Sequence, residues 1–378
     1  MNDLERLLSD SLKSVGDTYG PADPAAARQR FLKRRRRRLF RVSFGGAVAA
    51  ATAVAVILYV AQAPGPAVRR PALDVTSRFL AVTKSIPVGD APSGIDIGEA
   101  GVWVANSGDG TVMRINQAFN KVAETVDVGG SPDDVAVGED AVWVSDPDRG
   151  IVTKVEFPDG IEGVVQTPID VAEPGQHLDI AYGGDAVWVV ASEEGALFRI
   201  DPDSDEVDQS TGARLASDVS VENDGTPWTL GRRMGRPEIY RSDPTGTDFG
   251  FPITGAAGDL GTARTNVDLA VGDENLWISS NTGLVLTVDQ RGSVLAEHEV
   301  GGSYTGIAIY RGLVWAVTGG LDDDIAGSGL LTRFDDGTGE QVGAALPLTG
   351  RPFDVAVGRT GIWLTHNSTN TVSHISDT

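Results

Sequence analysis

Tryptophan recurs in this chain at one position of a repeating unit. Its seven copies are separated by 40, 45, 40, 49, 38 and 48 residues, and they are Trp103, Trp143, Trp188, Trp228, Trp277, Trp315 and Trp363. A period in the forties that contains several short β-type segments is typical of a β-propeller, in which each repeat forms one blade. One large aromatic side chain per repeat is expected to fill the wedge between neighbouring sheets. A ring of aromatic side chains that stack on a ligand is the functional alternative.

Each repeat reads as four short strands joined by polar turns. The clearest copy is SPDDVAVGEDAVWVSDPDRG from Ser131, and related copies begin at Ala91, Gly175, Thr265 and Arg351. Runs of β-branched and aromatic residues bounded by Gly, Asp, Asn and Pro favour antiparallel strands connected by hairpins. The sequence therefore predicts an all-β, seven-bladed β-propeller.

The phase of the repeat predicts how the ring of blades closes. The last copy, residues 351–376, supplies three strands, and a strand-like segment over residues 79–88 precedes the first complete copy. This segment has the phase of a fourth strand. We expect it to complete the seventh blade beside the C-terminal strands, because closure removes open sheet edges.

The N-terminal part of the chain has a different composition. Residues 42–63 contain no charged side chain, and a helix of that length spans the ~30 Å core of a bilayer. Six basic residues, 33–38, precede it, so the positive-inside rule places the N-terminus in the cytoplasm. The sequence thus predicts a single-pass protein of the cell membrane with four parts: a partly helical basic tail over 1–41, a transmembrane helix over 42–63, a linker over 64–75 and an extracytoplasmic propeller over 76–378.

Release of the propeller after export is the alternative to anchoring. Ala61-Gln62-Ala63 matches a signal-peptidase pattern, and Arg37-Arg38 resembles the start of a twin-arginine signal. Pro64 directly after the cleavage point and the long segment before the apolar run favour the uncleaved anchor.

Composition narrows the range of functions. The chain has no cysteine, which excludes disulfides, thiol catalysis and cysteine-based zinc sites. Residues 71–378 carry 18 Lys/Arg against 48 Asp/Glu, a formal net charge of −30. A field of this sign repels nucleic acid and anionic lipid and favours cationic ligands. We therefore expect no nucleic-acid partner.

Aspartate recurs nine residues before the tryptophan, where each innermost strand begins. The copies are Asp134, Asp179, Asp268 and Asp354, with Asp218 one position further out and glycine at 94 and 306. Innermost strands converge on the axis, so these carboxylates are expected to form a broken ring at one mouth of the channel. Such a ring suits a cation such as Ca²⁺ or Mg²⁺. The alternative is that each carboxylate accepts backbone N–H hydrogen bonds from its own or the next blade.

His177 begins an innermost strand in GQHLDI and is expected at the same mouth. A catalytic histidine needs a positioned carboxylate or a metal, which the sequence alone does not supply. The structural alternative is a polar side chain that caps the strand end. The sequence predicts no catalytic residue, and it predicts ligand contacts at His177 and the four aspartates.

The repeat VGGSPDDVAVGEDAVWVSD followed by TKV closely resembles YncE-like surface-layer propellers of bacteria, which are related to NHL and virginiamycin B lyase propellers. The lyase branch implies a magnesium-dependent His/Glu pair whose histidine follows a Gly-Pro motif. Here the matching positions read APSGI, SPDDV and RPFDV, and Gly175-Gln176-His177 lacks the proline. The N-terminal pattern, LERLL followed by a proline break and AARQRFLKRRRRR, is similar to the cytoplasmic tails of actinobacterial anti-sigma-like membrane proteins.

These features together predict a non-enzymatic module without a required cofactor. Its expected ligand is a cell-envelope component, a peptide or a cationic molecule. A metal-dependent lyase or hydrolase acting at the channel mouth is the second hypothesis. The third is a sensor that signals to a cytoplasmic partner of residues 1–40.

Overall fold

The computed structural model describes residues 80–157, 163–210, 216–233, 236–242, 248–255, 267–280, 283–301, 303–319 and 328–377. All of them lie within one compact unit, Leu73–Thr378. Within these ranges every regular element is a β-strand, and none of the residues belongs to a helix of the length and apolarity that a membrane span requires. The predicted tail, transmembrane helix and linker lie outside the described residues.

The described strands form seven antiparallel sheets of four strands each, which confirms the predicted seven blades. Blade 1 contains β2 (Pro92–Gly98), β3 (Gly101–Asn106), β4 (Thr111–Asn116) and β5 (Lys121–Asp127). Blade 2 contains β6 (Val135–Val137), β7 (Ala141–Asp146), β8 (Ile151–Glu156) and β9 (Val165–Asp170). Blade 3 contains β10 (Leu178–Gly183), β11 (Ala186–Ala191), β12 (Ala196–Ile200) and β13 (Val207–Ser210).

The remaining blades follow the same order, except that blade 7 takes its outer strand from the start of the propeller. Blade 4 contains β14 (Asp218–Val221), β15 (Pro227–Arg233), β16 (Arg236–Ser242) and β17 (Asp248–Pro252). Blade 5 contains β18 (Val267–Val271), β19 (Leu276–Ser280), β20 (Leu284–Val288) and β21 (Val294–Glu299). Blade 6 contains β22 (Ser303–Tyr310), β23 (Leu313–Gly319), β24 (Ser328–Asp335) and β25 (Leu346–Thr349). Blade 7 contains β26 (Pro352–Gly358), β27 (Gly361–His366), β28 (Thr371–Asp377) and β1 (Leu80–Pro87).

The tryptophans occupy the wedges between blades, as the sequence predicts. All seven lie on the second strand of a blade and are buried. Each belongs to an apolar cluster that includes residues of the following blade. Trp363 of blade 7, for example, shares its cluster with Val102 and Val104 of blade 1. Because neighbouring sheets diverge with distance from the axis, a large ring is needed to fill the gap.

The first strand closes the ring of blades. β1 pairs antiparallel with β28, and the sheet order is β1-β28-β27-β26. The register matches Pro87 with Thr371 and Leu80 with Asp377. This confirms the predicted pairing for the described part of that segment, Leu80–Pro87. The side chain of Ile86 is 2 % exposed and packs in the cluster around Trp363, so β1 is joined by apolar contacts as well as by its ladder.

The first strand of each blade is called its inner strand, because the inner strands of successive blades contact one another around the axis. In blade 7 the register matches Pro352 with His366 at the beginning of the inner strand and Gly358 with Gly361 at its end. His366 pairs with Thr371, and Thr371 pairs with Pro87, so Pro87 of β1 lies level with the beginning of the inner strand. Leu80, at the other end of β1, lies beyond the level where the inner strand ends. Leu80 therefore lies on the face of the propeller opposite to the one where the inner strands begin.

Two substitutions in β1 test the closure. Ile86→Ala removes a buried side chain from the joint and is expected to lower the free energy of unfolding by about 2–4 kcal/mol. Val82→Ala, on the same strand at 46 % exposure, is expected to change it by less than about 0.5 kcal/mol. Denaturant unfolding of the two variants measures the difference. Equal effects would mean that β1 is not part of the cooperative core.

Candidate functional site

Five aspartates lie at equivalent positions where the inner strands begin. The register pairs Asp179, Asp218 and Asp268 with the residue two positions after the tryptophan of the same blade. The backbone N–H groups of Asp134 and Asp354 donate to hydroxyls of Ser145 and Thr365, which occupy that same position in blades 2 and 7. The end of the channel that these five residues mark is called the aspartate end.

Asp218 was expected one position further out than its counterparts, and this was wrong. Counted from the aspartate to its partner on the next strand, blade 4 has one more residue than blade 3: Asp218 pairs with Leu230, twelve positions later, and Asp179 pairs with Val190, eleven positions later. The extra residue is accommodated in the hairpin, where the Glu222 N–H donates to the Thr226 carbonyl at 2.9 Å. Asp218 therefore occupies the same place as the other aspartates.

Each of these carboxylates accepts a hydrogen bond from the inner strand of the next blade. The acceptor carboxylates and donor N–H groups are Asp134 and Ile180 (3.3 Å), Asp179 and Val219 (2.6 Å), Asp218 and Leu269, Asp268 and Ile307 (2.9 Å), and Asp354 and Ile95 (3.0 Å). We call these contacts latches and the five residues the latch aspartates. The structural role considered as an alternative for the aspartates is thus confirmed, and ligand binding by the same residues stays a prediction.

Glycine replaces the aspartate in blades 1 and 6 because the next blade comes too close for a side chain. A Cβ atom at Gly94 would lie 2.7 Å from the Cα of Asp134, and one at Gly306 would lie 3.1 Å from the Cα of Asp354. In blade 1 the latch moves two residues along the strand. Asp96 accepts the N–H of Val137 in blade 2 at 2.7 Å.

Burial and mutual repulsion raise the pKa values of three latch aspartates, Asp134, Asp218 and Asp354. For Asp134, burial comes first and the charges of Asp179 and Asp354 add to it, so its pKa lies well above the usual range. Burial and the charges of Asp179 and Asp268 do the same to the pKa of Asp218. The pKa of Asp354 is also raised well above its ordinary value, by burial and by the charge of Asp268. These carboxylates therefore act on one another across the channel.

Asp96 is a further titratable group on the inner strands. Burial raises its pKa to about 6, although hydrogen bonds from the N–H groups of Val137 and Ile97 favour the charged form. In the other blades the residue opposite the tryptophan on the inner strand is alanine or serine, whereas here it is Asp96. That departure is visible in the segment GIDIG, although Asp96 is not among the residues predicted from the repeat.

His177 lies immediately before β10, next to Asp179. Its Nδ1 atom is 3.6 Å from Oδ2 of Asp133, and the two side chains are 39 % and 31 % exposed. Burial by itself lowers the pKa of His177, but the interaction with Asp133 and the charge of Asp179 outweigh it and raise the pKa above the ordinary value. The structure thus brings His177 to the aspartate end, paired with a carboxylate of blade 2 that the sequence did not single out.

Metal binding at this end is not shown by the arrangement of side chains. Across the part of the chain that the structure describes, no three His, Asp or Glu side chains are grouped so that they hold a metal ion. The Ca²⁺ or Mg²⁺ predicted for the ring of aspartates stays a prediction.

The acidic segment that begins at Asp201 forms a turn, in which the N–H groups of Asp203 and Ser204 donate to the Asp201 carboxylate.

A second repeated feature, also missed from the sequence, concerns the basic residues. In six blades a basic residue on the third strand pairs directly with the tryptophan: Arg114, Lys154, Arg199, Arg241, Arg333 and His374. Lys154, Arg241 and Arg333 hold their charge 5.3–5.6 Å from the indole centroid, which suits a cation–π contact. The signal was a basic residue eleven positions after the tryptophan in four of the copies. Two of these cations, Lys154 and Arg333, are buried between the blades.

The comparisons with known proteins agree with this geometry in fold. No protein-family model matches the chain, and no curated protein matches it in sequence. Its structure is similar to a streptogramin B lyase (12 % identity, 79 % of this chain and 98 % of that one, TM-score 0.62). It is also similar to virginiamycin B lyase from Staphylococcus aureus, with 15 % identity, 79 % of this chain and 99 % of that one covered, and a TM-score of 0.60. A third similar structure is hydrazine synthase from Kuenenia stuttgartiensis, with 16 % identity, 76 % of this chain and 96 % of that one covered, and a TM-score of 0.58. At these identities the likeness shows a shared fold, the seven-bladed propeller of the lyase structures.

Removal of one latch carboxylate tests its contribution to stability. Asp179→Ala leaves the N–H of Val219 without its acceptor and is expected to lower the free energy of unfolding by about 1–3 kcal/mol. Asp148→Ala removes the same charge from an exposed turn and is expected to change it by less than about 0.5 kcal/mol. Denaturant unfolding compares the two variants, and an Asp179→Ala variant as stable as the control would refute the latch.

Proposed function

We propose that this chain is a membrane-anchored, extracytoplasmic binding module that captures cationic ligands at the aspartate end of its propeller, and that it is not an enzyme. The observation that carries the proposal is the convergence of five aspartates on one end of the channel, where three of them have raised pKa values through burial and mutual repulsion. A cationic ligand relieves that repulsion, and this is a source of binding energy that a neutral or anionic ligand does not have.

The rest of the propeller supports the same ligand class. Residues 71–378 have a formal net charge of −30, and several basic side chains are turned onto tryptophans within the blades. The long-range field of the molecule is therefore negative and steers cations to it. Amine groups of a peptide or of a cell-envelope component fit this chemistry, as do Ca²⁺ and Mg²⁺.

The geometry favours binding over catalysis. Each latch aspartate is held by a backbone N–H of the next blade, so its position is fixed by the fold and repeats with it. Repeated positions that serve the same structural contact give a rigid charged surface, whereas general acid–base chemistry needs one carboxylate and one base with distinct environments.

One observation favours the second candidate, a metal-dependent lyase. His177 stands beside Asp133 and Asp179 at the aspartate end, and the fold is shared with a streptogramin B lyase and a virginiamycin B lyase. In this candidate His177 would act as the base and the aspartates would hold Mg²⁺. The absence of the Gly-Pro motif before His177 distinguishes this chain from the lyase pattern.

We further propose that residues 42–63 anchor the propeller, that residues 1–41 lie in the cytoplasm, and that residues 1–40 offer a helix to a cytoplasmic partner. Support comes from the uncharged run and the six basic residues before it. The repeat supports a place among YncE-like propellers, and the tail supports a relation to anti-sigma-like membrane proteins.

Neutralising the ring tests ligand capture. In full-length protein held in detergent micelles, Asp134→Asn with Asp268→Asn removes two charges while each Asn keeps an acceptor oxygen for the latch. The affinity for a fluorescent oligolysine peptide is expected to fall by about 10-fold or more, a loss of ~1.4 kcal/mol. A double variant with the same charge change at exposed turns, Glu99→Gln with Asp148→Asn, is expected to lose less than about 2-fold. Equal losses in the two variants would contradict capture at the aspartate end.

Cysteine labelling tests the membrane topology, because the chain has no cysteine of its own. On intact cells, a membrane-impermeant maleimide is expected to label Asp148→Cys in the propeller. Ser14→Cys in the tail is expected to react only after the membrane is permeabilised. Labelling of Ser14→Cys on intact cells, or recovery of the propeller solely from the medium, would contradict the anchored arrangement.

A further inference from the structure

The turn that follows each inner strand reverses its charge in two neighbouring blades. Four residues before the tryptophan, the turns of blades 1 to 5 have acidic residues or glycine: Glu99, Glu139, Gly184, Asp224 and Asp273. Blades 6 and 7 have Arg311 and Arg359 at this position. The turns join the end of the inner strand to the second strand, so they lie at the end of the channel opposite to the aspartate end. Two adjacent blades thus present arginine where the other blades are acidic or neutral.

Neither of these arginines is neutralised within the propeller. Arg311 and Arg359 are exposed, and no carboxylate of the described residues forms an ion pair with either of them. Ion pairs hold four arginines of other blades: Arg114, Arg149, Arg199 and Arg241. Acidic residues outnumber basic ones 48 to 18 in residues 71–378, so two neighbouring arginines without an internal partner indicate an external one.

The turn of blade 6 restricts where its arginine lies. Tyr310 ends the inner strand at the register position where blades 1, 3 and 7 have glycine. The Arg311 guanidinium carbon is 5.1 Å from the centroid of the Tyr310 ring, which suits a cation–π contact. Arg311 has a φ of 53°, a left-handed conformation that residues other than glycine adopt rarely, and the carbonyl of the next residue, Gly312, accepts the Asp336 N–H at 3.0 Å. The ring and the turn together keep the charge at this end of the channel.

The turn of blade 7 is linked to an exposed aromatic ring of blade 1. Thr360, directly after Arg359, donates its hydroxyl hydrogen to Oε1 of Gln117 in the β4–β5 turn at 2.6 Å. In that turn the N–H of Phe119 donates to Oδ1 of Asn116 at 3.2 Å, and the Phe119 residue is 74 % exposed. A turn closed by its own hydrogen bond thus presents a phenyl ring to solvent near Arg359. We call Tyr310, Arg311, Arg359 and Phe119 the arginine patch.

The headgroup layer of a lipid bilayer matches this combination of side chains. A guanidinium pairs with phosphate, and an aromatic ring is favoured at the boundary between headgroups and acyl chains. Leu80, the first described residue, lies on the same face of the propeller. Residues 64–79 separate Leu80 from the apolar run at 42–63, and a segment of that length reaches at most about 55 Å. The membrane in which we place that run is therefore within reach of the arginine patch.

We propose that the arginine patch binds phosphate groups of anionic lipids in the membrane that anchors the chain, and that this contact turns the aspartate end away from the bilayer. The inference rests on the proposed anchor at 42–63. The negative charge of the propeller repels an anionic surface, and the acidic turns of blades 1, 2, 4 and 5 repel it most directly on this face. Blades 6 and 7 are therefore the side of the face that approaches the lipid. In this orientation the aspartate end stays open to ligands from outside.

The test measures energy transfer from a dye on the propeller to labelled lipid in nanodiscs that hold the full-length chain. Because the chain has no cysteine, a single dye is placed through Ala100→Cys on the face of the patch or Asp148→Cys at the aspartate end. In phosphatidylglycerol nanodiscs, transfer is expected to be greater from Ala100→Cys. Arg311→Gln with Arg359→Gln is expected to lower the ratio of docked to undocked propeller by about 10-fold or more. The double lysine variant, Arg311→Lys with Arg359→Lys, keeps both charges and is expected to stay docked.

Lys84→Gln with Arg351→Gln removes the same charge from exposed positions outside the patch and is expected to leave the transfer unchanged. Equal transfer in phosphatidylglycerol and phosphatidylcholine nanodiscs, or an undiminished signal in the double glutamine variant of the patch, would overturn the proposal. Loss of the signal on addition of inorganic phosphate at constant ionic strength would assign the patch to a soluble anion and overturn it as well. A chain that does not enter nanodiscs would contradict the anchor itself, and this inference with it, so the two failures are distinguishable.

Discussion

The hydrogen bond from the inner strand of one blade to an aspartate of the preceding blade is the interaction on which this propeller depends. An inner strand pairs with its own blade on one side only, so N–H groups on its other edge need acceptors. Near the axis the blades are too close for large side chains to fill that role, as the glycines at 94 and 306 show. A short carboxylate reaches across the gap and satisfies the N–H. Further out, where the sheets diverge, tryptophan performs the joining by apolar contact.

Because aspartates join the blades near the axis, the proposed binding surface consists of residues that the fold itself requires. The aspartates that join the blades also concentrate negative charge at one end of the channel. Burial and repulsion raise the pKa values of Asp134, Asp218 and Asp354, so the charge at this end varies with pH and with the presence of a cation. A substitution that removes charge therefore acts on stability as well, unless the new residue keeps an acceptor oxygen for the next blade.

Features that repeat at a constant spacing were accessible from the sequence. The tryptophan period gave the number of blades, its phase gave the strand that closes the ring, and the aspartates before each inner strand were found by the same counting. Counting failed where the spacing changes. The predicted position of Asp218 was wrong because the hairpin after it has one more residue. The basic partners of the tryptophans were missed because the separation between tryptophan and partner is not constant and reaches 18 residues in blade 6.

Contacts between different repeats were the other gap. Asp133 and His177 belong to blades 2 and 3 and are 44 positions apart, and nothing in a single repeat pairs them. The spread of the latch to Asp96 follows from the close approach of two backbones at Gly94, which is a property of three-dimensional packing. The sequence thus predicts the architecture and the equivalent positions within each repeat. The residue pairs that join different blades can be identified only from the structure.

The joint between the first and last strands has a consequence for biosynthesis. Its contacts link residues 291 positions apart, as between Thr83 and His374. A ribosome makes β1 first and β28 last, so β1 has no partner during nearly the whole of translation. Blades 1 to 6 can form in order as they emerge, but the circle is completed only when the final segment arrives. Until then β1 stays unpaired in the nascent chain, and it is exposed to aggregation unless chaperones bind it or the remaining residues are made rapidly.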